Sequence, residues 1–317
     1  MNETNEFKIV SRKKKKFGKQ NIAERNPEAR NNNSLSEITN YKKRINICIQ
    51  DLNLSLFFKA SFDLINNALS TIKSNHRHDL GKPLDKSDPK PRLAQDVGTA
   101  LKFLSLEDVS VTEEKQVSTA LQTPSQVHLL CYGLGNFTTC LIARYQLAFL
   151  LCLKEKLGAT CTMCSVYDPV FTEEEKDILK YYQCEVIMHN EEAKRECLVP
   201  TVAFLPHCGK AMYNNLLWKN LVARENTLHN LILIGNSFSH MVERSPLNNL
   251  KETGNYILLL QPYTREVKLP ETFQHTDVFN DTAIHIFSTP ESFGQNDVFQ
   301  EPFYQSDDVE LCKIKGI

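Results

Sequence analysis

The stretch Gln126 to Phe137, Q-V-H-L-L-C-Y-G-L-G-N-F, does most to limit what this chain can fold into. An apolar run (Val127, Leu129, Leu130, Cys131) breaks at Gly133-Leu134-Gly135 and passes straight into an apolar segment from Thr138 to Leu153, the pattern of a strand, a tight turn and a helix. At such a handover the first-turn N–H groups lack intrahelical partners and the helix dipole is positive, so glycines let an anionic or hydroxylated ligand approach the backbone. A dinucleotide fingerprint would need a third glycine where Thr138 stands. On this stretch alone, an ordinary tight turn and a nucleotide site both remain open.

The rhythm continues downstream. Strand one ends at Tyr132 and its helix is expected over 136–157, with Gly158 stopping it. Met163 to Tyr167 forms a second strand, followed by Asp168-Pro169 and by Thr172-Glu-Glu-Glu175, a capping box that opens a helix to Tyr182. Further strands are expected at Cys184 to Met188, Thr201 to Leu205, Leu231 to Ile234, Tyr256 to Leu260 and Ala283 to Phe287, with a helix from Ala211 to Val222. Strands alternating with helices imply crossover units and a doubly wound, mostly parallel Rossmann-like α/β sheet. Upstream, Leu52, Leu54, Phe57, Phe58, Phe62, Ile65 and Leu69 suit one or two amphipathic helices, and Pro83, Pro89 and Pro91 mark a linker. The chain therefore divides into a disordered basic tail at 1–46, a helical extension and linker at 47–122, and a Rossmann-like domain at 123–317.

Charge is distributed unevenly over the 317 residues. Residues 1–46 hold twelve Lys/Arg against five Asp/Glu, leaving twenty-five against thirty-three in the rest. An acidic body argues against nucleic-acid binding by the folded domain, while the block Arg12 to Lys16 is either a solvated charge run or a nuclear import signal. Ten cysteines behind a polar start with no apolar leader point to a reducing compartment, with the thiols as core residues. Arg144 and Gln146 interrupt the most apolar stretch, so a buried helix is expected there rather than a membrane span. The expected location is the cytoplasm, and also the nucleus if the basic block is read by an import receptor.

In an open parallel sheet, ligands bind beyond the carboxyl ends of the strands. The candidate ligand-binding residues are Tyr132, Gly133, Gly135 and Asn136 after strand one, Asp168 after strand two, His207 after strand four, and Asn236 and Ser237 after strand five. Asp168 stands where nucleoside-binding folds contact ribose, although it lies later than the roughly twenty residues of the dinucleotide pattern. It could equally open an Asp-Pro turn. His207 could be a base, a ligand contact or a structural residue. No catalytic residue, metal ligand or cofactor is assigned.

Tyr132-Gly-Leu-Gly-Asn-Phe137, Val166-Tyr-Asp-Pro-Val-Phe171, Leu205-Pro-His-Cys208 with Tyr213-Asn-Asn-Leu-Leu-Trp218, and Ile234-Gly-Asn-Ser-Phe238 occur in this order. Together they resemble the sensitivity-to-red-light-reduced (SRR-like) domain family over about 125–245. The resemblance implies regulation rather than catalysis: light and circadian signalling in plants, haem biosynthesis and clock-gene expression in vertebrates. It implies action through an unidentified protein partner or a nucleoside-type small molecule, with no membrane involved. The alternative is an S-adenosylmethionine-dependent methyltransferase-like enzyme. Against that layout, Cys131 replaces an acid and Phe137 replaces a glycine.

Overall fold

The computed structural model describes residues 27–78, 126–224, 226–288 and 299–304, with side chains described from residue 36 to residue 72 in the first of these stretches. The basic block Arg12 to Lys16 and the proline-rich linker lie outside the described residues. Two helices come first, α1 (Pro27–Leu54) and α2 (Leu56–His78). The sheet region follows as β1 (Val127–Tyr132), α3 (Leu141–Leu157), β2 (Cys161–Tyr167), α4 (Glu173–Tyr181), β3 (Glu185–Val186), β4 (Thr201–Leu205) and α5 (Lys210–Leu221). It ends with β5 (Leu231–Asn236), α6 (Phe238–Arg244), α7 (Leu247–Thr253), α8 (Asn255–Leu260), β6 (Thr264–Lys268) and β7 (Thr282–Phe287).

The seven strands form one sheet in the order β3-β2-β1-β4-β5-β7-β6. From β3 through β5 every pairing is parallel, and β7 runs antiparallel to both β5 and β6. The fold is thus the doubly wound, mostly parallel α/β sheet with N-terminal helices. Alternation along the strands divides two apolar layers. Leu129, Cys131, Val202, Phe204, Ile232 and Ile234 face α1, α2 and α3, while Leu130, Tyr132, Ala203, Leu205, Leu231 and Leu233 face α5 and α8.

Several boundaries differ from the sequence reading. Residues 27–46, assigned to a disordered tail on composition, form the first part of α1. Ile38, Tyr41, Ile45, Cys48 and Leu52 lie three and four residues apart and pack on the core, so docking against α3 supplies what a polar composition could not. Tyr256 to Leu260, expected as a strand, belongs to α8, which packs on α5. The β1–α3 helix starts at Leu141 rather than Asn136, because residues 137–139 form a turn. The capping box is present: Thr172 accepts from Glu175 N–H while the Glu175 carboxylate accepts from Thr172 N–H. Among the described residues, no helix is long and apolar enough to cross a membrane. The two polar residues in α3 are buried and used: Arg144 donates to the carbonyls of Phe137 (3.0 Å) and Thr138 (2.7 Å), and Gln146 donates to that of Val278 (3.1 Å).

Candidate functional site

β1 lies between β2 and β4, so the loop after it occupies the point where strand order reverses. Gly133 and Gly135 both adopt left-handed φ, at +69° and +77°. The N–H of Gly133 donates to Tyr167 O (3.1 Å), and that of Gly135 donates to Asp168 Oδ2 (2.7 Å). The N–H groups of Thr138 and Thr139 donate to Glu175 Oε1 (3.0 Å) and Asn136 Oδ1 (3.1 Å). Asp168 Oδ1 accepts from Val170 N–H at 2.9 Å. Gly133, Gly135, Asn136 and Asp168 are thus brought together, and the N–H groups of Gly133, Gly135, Thr138 and Thr139 already hold internal acceptors.

The neighbouring tips are braced in the same way. Tyr132, fully buried, donates its hydroxyl to Glu191 Oε2 (2.6 Å), and Arg195 holds both oxygens of that carboxylate (2.8 and 2.6 Å). Burial works to raise the Glu191 carboxyl, but the Arg195 guanidinium and the Tyr132 hydroxyl outweigh it and hold it below the usual range. Burial, reinforced by Glu191, pushes the Tyr132 hydroxyl well above its ordinary value. His207 is exposed with a left-handed φ of +52°, and its Nε2 donates to Val278 O (3.2 Å). The following helix is capped by Gly209, not by His207.

At the β5 tip, Tyr213 lies across Gly235. Its hydroxyl donates to Leu205 O (2.6 Å) and accepts from Asn236 N–H (2.9 Å), joining the ends of β4 and β5. The Asn236 amide nitrogen donates to Cys208 O (3.1 Å), which fixes the orientation of that side chain. Its Oδ1 is a buried atom without a hydrogen-bond partner among the described residues. Ser237 turns away from the other tips. Its hydroxyl donates to Glu266 on β6, which also accepts from Ser239 N–H (3.0 Å) and faces the fully buried His285 at 3.7 Å.

Sequence reasoning missed the bracing roles of Arg144, Glu175 beyond its capping box, Tyr213, Arg195 and Glu266 with His285. The capping-box spacing signalled Glu175, but nothing local signals that its other oxygen reaches Thr138 across 37 positions. The asparagines of the Tyr213-to-Trp218 motif are likewise structural. Asn214 and Asn215 are buried, binding Asn255, Tyr256 and Tyr304 in one case and Glu192 O and Tyr304 in the other.

A family model described as the SRR1 domain matches residues 105–286. A mouse SRR1-like protein is 38% identical over 216 residues, covering 68% of this chain and 78% of its own length. A Drosophila melanogaster SRR1-like protein is 32% identical over 169 residues, covering 53% of this chain and 58% of its own. The Arabidopsis thaliana Protein SENSITIVITY TO RED LIGHT REDUCED 1 is 30% identical over 176 residues, covering 55% and 63%. No solved structure matches the chain.

Proposed function

Because this chain belongs to the SRR1 domain family, we propose that it is a regulatory protein of circadian gene expression and haem biosynthesis that works by binding a metabolite or a protein partner at the carboxyl ends of its parallel strands. The observation that carries this reading is the match itself, which runs through every strand tip from β1 to β5, together with the plant relative named for reduced sensitivity to red light. The proposed location is the cytoplasm and the nucleus. The test is deletion of the gene in cells carrying a luciferase reporter on a clock promoter. Altered period or amplitude and altered haem content are expected, restored by the wild-type chain and not by Asp168→Ala at matched protein level. Normal rhythm and normal haem in the null cells would overturn the reading. Removing residues 1–20 is expected to lower nuclear content, and an unchanged distribution would sink the import role of the basic block.

A second reading, an S-adenosylmethionine-dependent enzyme, draws on the glycine turn lying 2.7 Å from the second-strand carboxylate. Cys131 and Phe137 weigh against it, and so does the use of that carboxylate within the turn. Titration with S-adenosylmethionine and S-adenosylhomocysteine tests this second reading, since a ligand at 100 times its Kd adds about 2.7 kcal/mol of stability. An unshifted melt would remove this alternative.

A further inference from the structure

We propose that the crevice between the tips of β4 and β5 binds the phosphate group of a small phosphorylated metabolite. A cavity of about 270 Å³ opens there, lined among others by Gly209, Lys210, Asn236, His240, Arg244 and Asp281. The charges in it are unequal. His240 is bound to Asp281. Lys210 Nζ, by contrast, donates to the neutral oxygens Ser245 Oγ (3.3 Å) and Asn249 Oδ1 (2.8 Å). Among the described residues no carboxylate lies within 4.0 Å of the Lys210 or Arg244 cationic groups. Two cations with no carboxylate partner among the described residues therefore border one cavity.

The surrounding backbone adds to this field. α5 has 12 residues, and Gly209 at its N-cap has no side chain to accept from the first-turn N–H groups. Two cations and a helix terminus without a side-chain cap supply more positive character than one carboxylate would need, and a phosphate monoester is close to a dianion at neutral pH. The cavity lies just below the roughly 300–1,000 Å³ of drug-sized sites, so the carrier is small. The turn after β1 is a poorer phosphate site, because the N–H groups of Gly133, Gly135, Thr138 and Thr139 are already bonded.

This inference rests on the metabolite branch of the proposed function. The experiment is a thermal-shift titration of the full chain with inorganic phosphate, glycerol 3-phosphate and S-adenosylmethionine at constant ionic strength. A saturable rise in Tm is expected with both phosphates, at lower concentration for glycerol 3-phosphate, and is expected to vanish in Lys210→Met/Arg244→Met. No saturable rise with either phosphate would overturn the inference. A rise with S-adenosylmethionine in the same plate would still uphold metabolite binding. A phosphate response that persists in the double variant would also overturn it, as would inorganic phosphate binding as tightly as glycerol 3-phosphate. If the double variant melts early, Arg244→Glu at an exposed position decides the matter: at least a tenfold rise in the half-saturating concentration is expected, and an unchanged value would overturn the inference.

Discussion

At the scale of single residues, the glycines after β1 and within β5 do different work. Gly133 needs its left-handed φ of +69°, and a Cβ there would lie 2.4 Å from Cys208 Sγ. Gly135 has a similar φ, but its Cβ would meet only Ala143, at 3.7 Å. Gly235 needs no unusual φ. A Cβ there would come within 2.6 Å of the Tyr213 ring and hydroxyl, and the ring cannot retreat without releasing Leu205 O and Asn236 N–H. Gly135→Ala should therefore cost about 1–2 kcal/mol, the conformational term alone. Gly133→Ala should cost more, and Gly235→Ala about 3 kcal/mol or more from overpacking and lost hydrogen bonds. Urea unfolding of the three variants measures the order, and Gly135→Ala emerging as the most damaging would refute it. The glycine turn was legible in the sequence, because two glycines between apolar runs have few other uses. The role of Gly235 was not, since the side chain it admits comes from α5, more than twenty positions earlier.

At the scale of elements, α1 shows composition misleading where periodicity would not. Its core-facing residues follow three- and four-residue steps from Ile38 to Leu52, yet the Asn-, Lys- and Arg-rich background hides them. Ile45→Ala or Leu52→Ala should destabilise the whole chain by about 2–5 kcal/mol. Leu54→Ala, at a residue 87% exposed, should change stability by less than about 0.5 kcal/mol. Equal effects at the three positions would mean that α1 does not share the core. α5 has a comparable polar stake in the fold. Asn220 accepts from Cys197 N–H (2.8 Å) and Thr227 Oγ1 (2.7 Å) and donates to Arg195 O (2.9 Å) and Leu216 O (2.8 Å). Asn220→Ala should cost about 2–3 kcal/mol by leaving buried groups unpaired, and a loss within experimental error would show that water replaces it. Two misreadings at this scale have different causes. A five-residue apolar run, Tyr256 to Leu260, is too short for its period to separate helix from strand. β6, Thr-Arg-Glu-Val-Lys, was missed because an edge strand is polar.

At the scale of the whole molecule, acid should loosen the β5–β6–β7 side. His285 is fully buried on β7, its Nδ1 donating to Leu233 O (3.1 Å) and its Nε2 accepting from Phe238 N–H (3.3 Å), an arrangement that requires the neutral ring. Burial pushes its pKa down to about 4 against the pull of Glu266. The unfolded chain therefore takes up the proton first, so stability is complete above about pH 6.5 and declines as the pH falls toward 4. Burial raises the Glu266 carboxyl, but hydrogen bonds from Ser237 and Ser239 more than offset this and hold it below the ordinary range, so its share is lost at still lower pH and in the same direction. Urea midpoints measured from pH 7.5 to 4.5 should fall for the wild type and flatten in His285→Gln. Parallel profiles would exclude His285 as the source.

The sequence by itself determined the layering of this protein. Alternating apolar runs, a glycine turn, a capping box and four ordered motifs are local patterns, and local sterics and hydrogen bonding suffice to turn them into strands, helices and their succession. The choice of partners for the polar groups belonged to the tertiary structure. Asp168 closes the glycine turn through Gly135 N–H, Glu175 reaches back to Thr138, and the Tyr213 hydroxyl joins the β4 and β5 tips. Such pairings join residues tens of positions apart, and a buried polar group takes whichever partner the packed sheet places within about 3 Å, a distance that no spacing along the chain encodes.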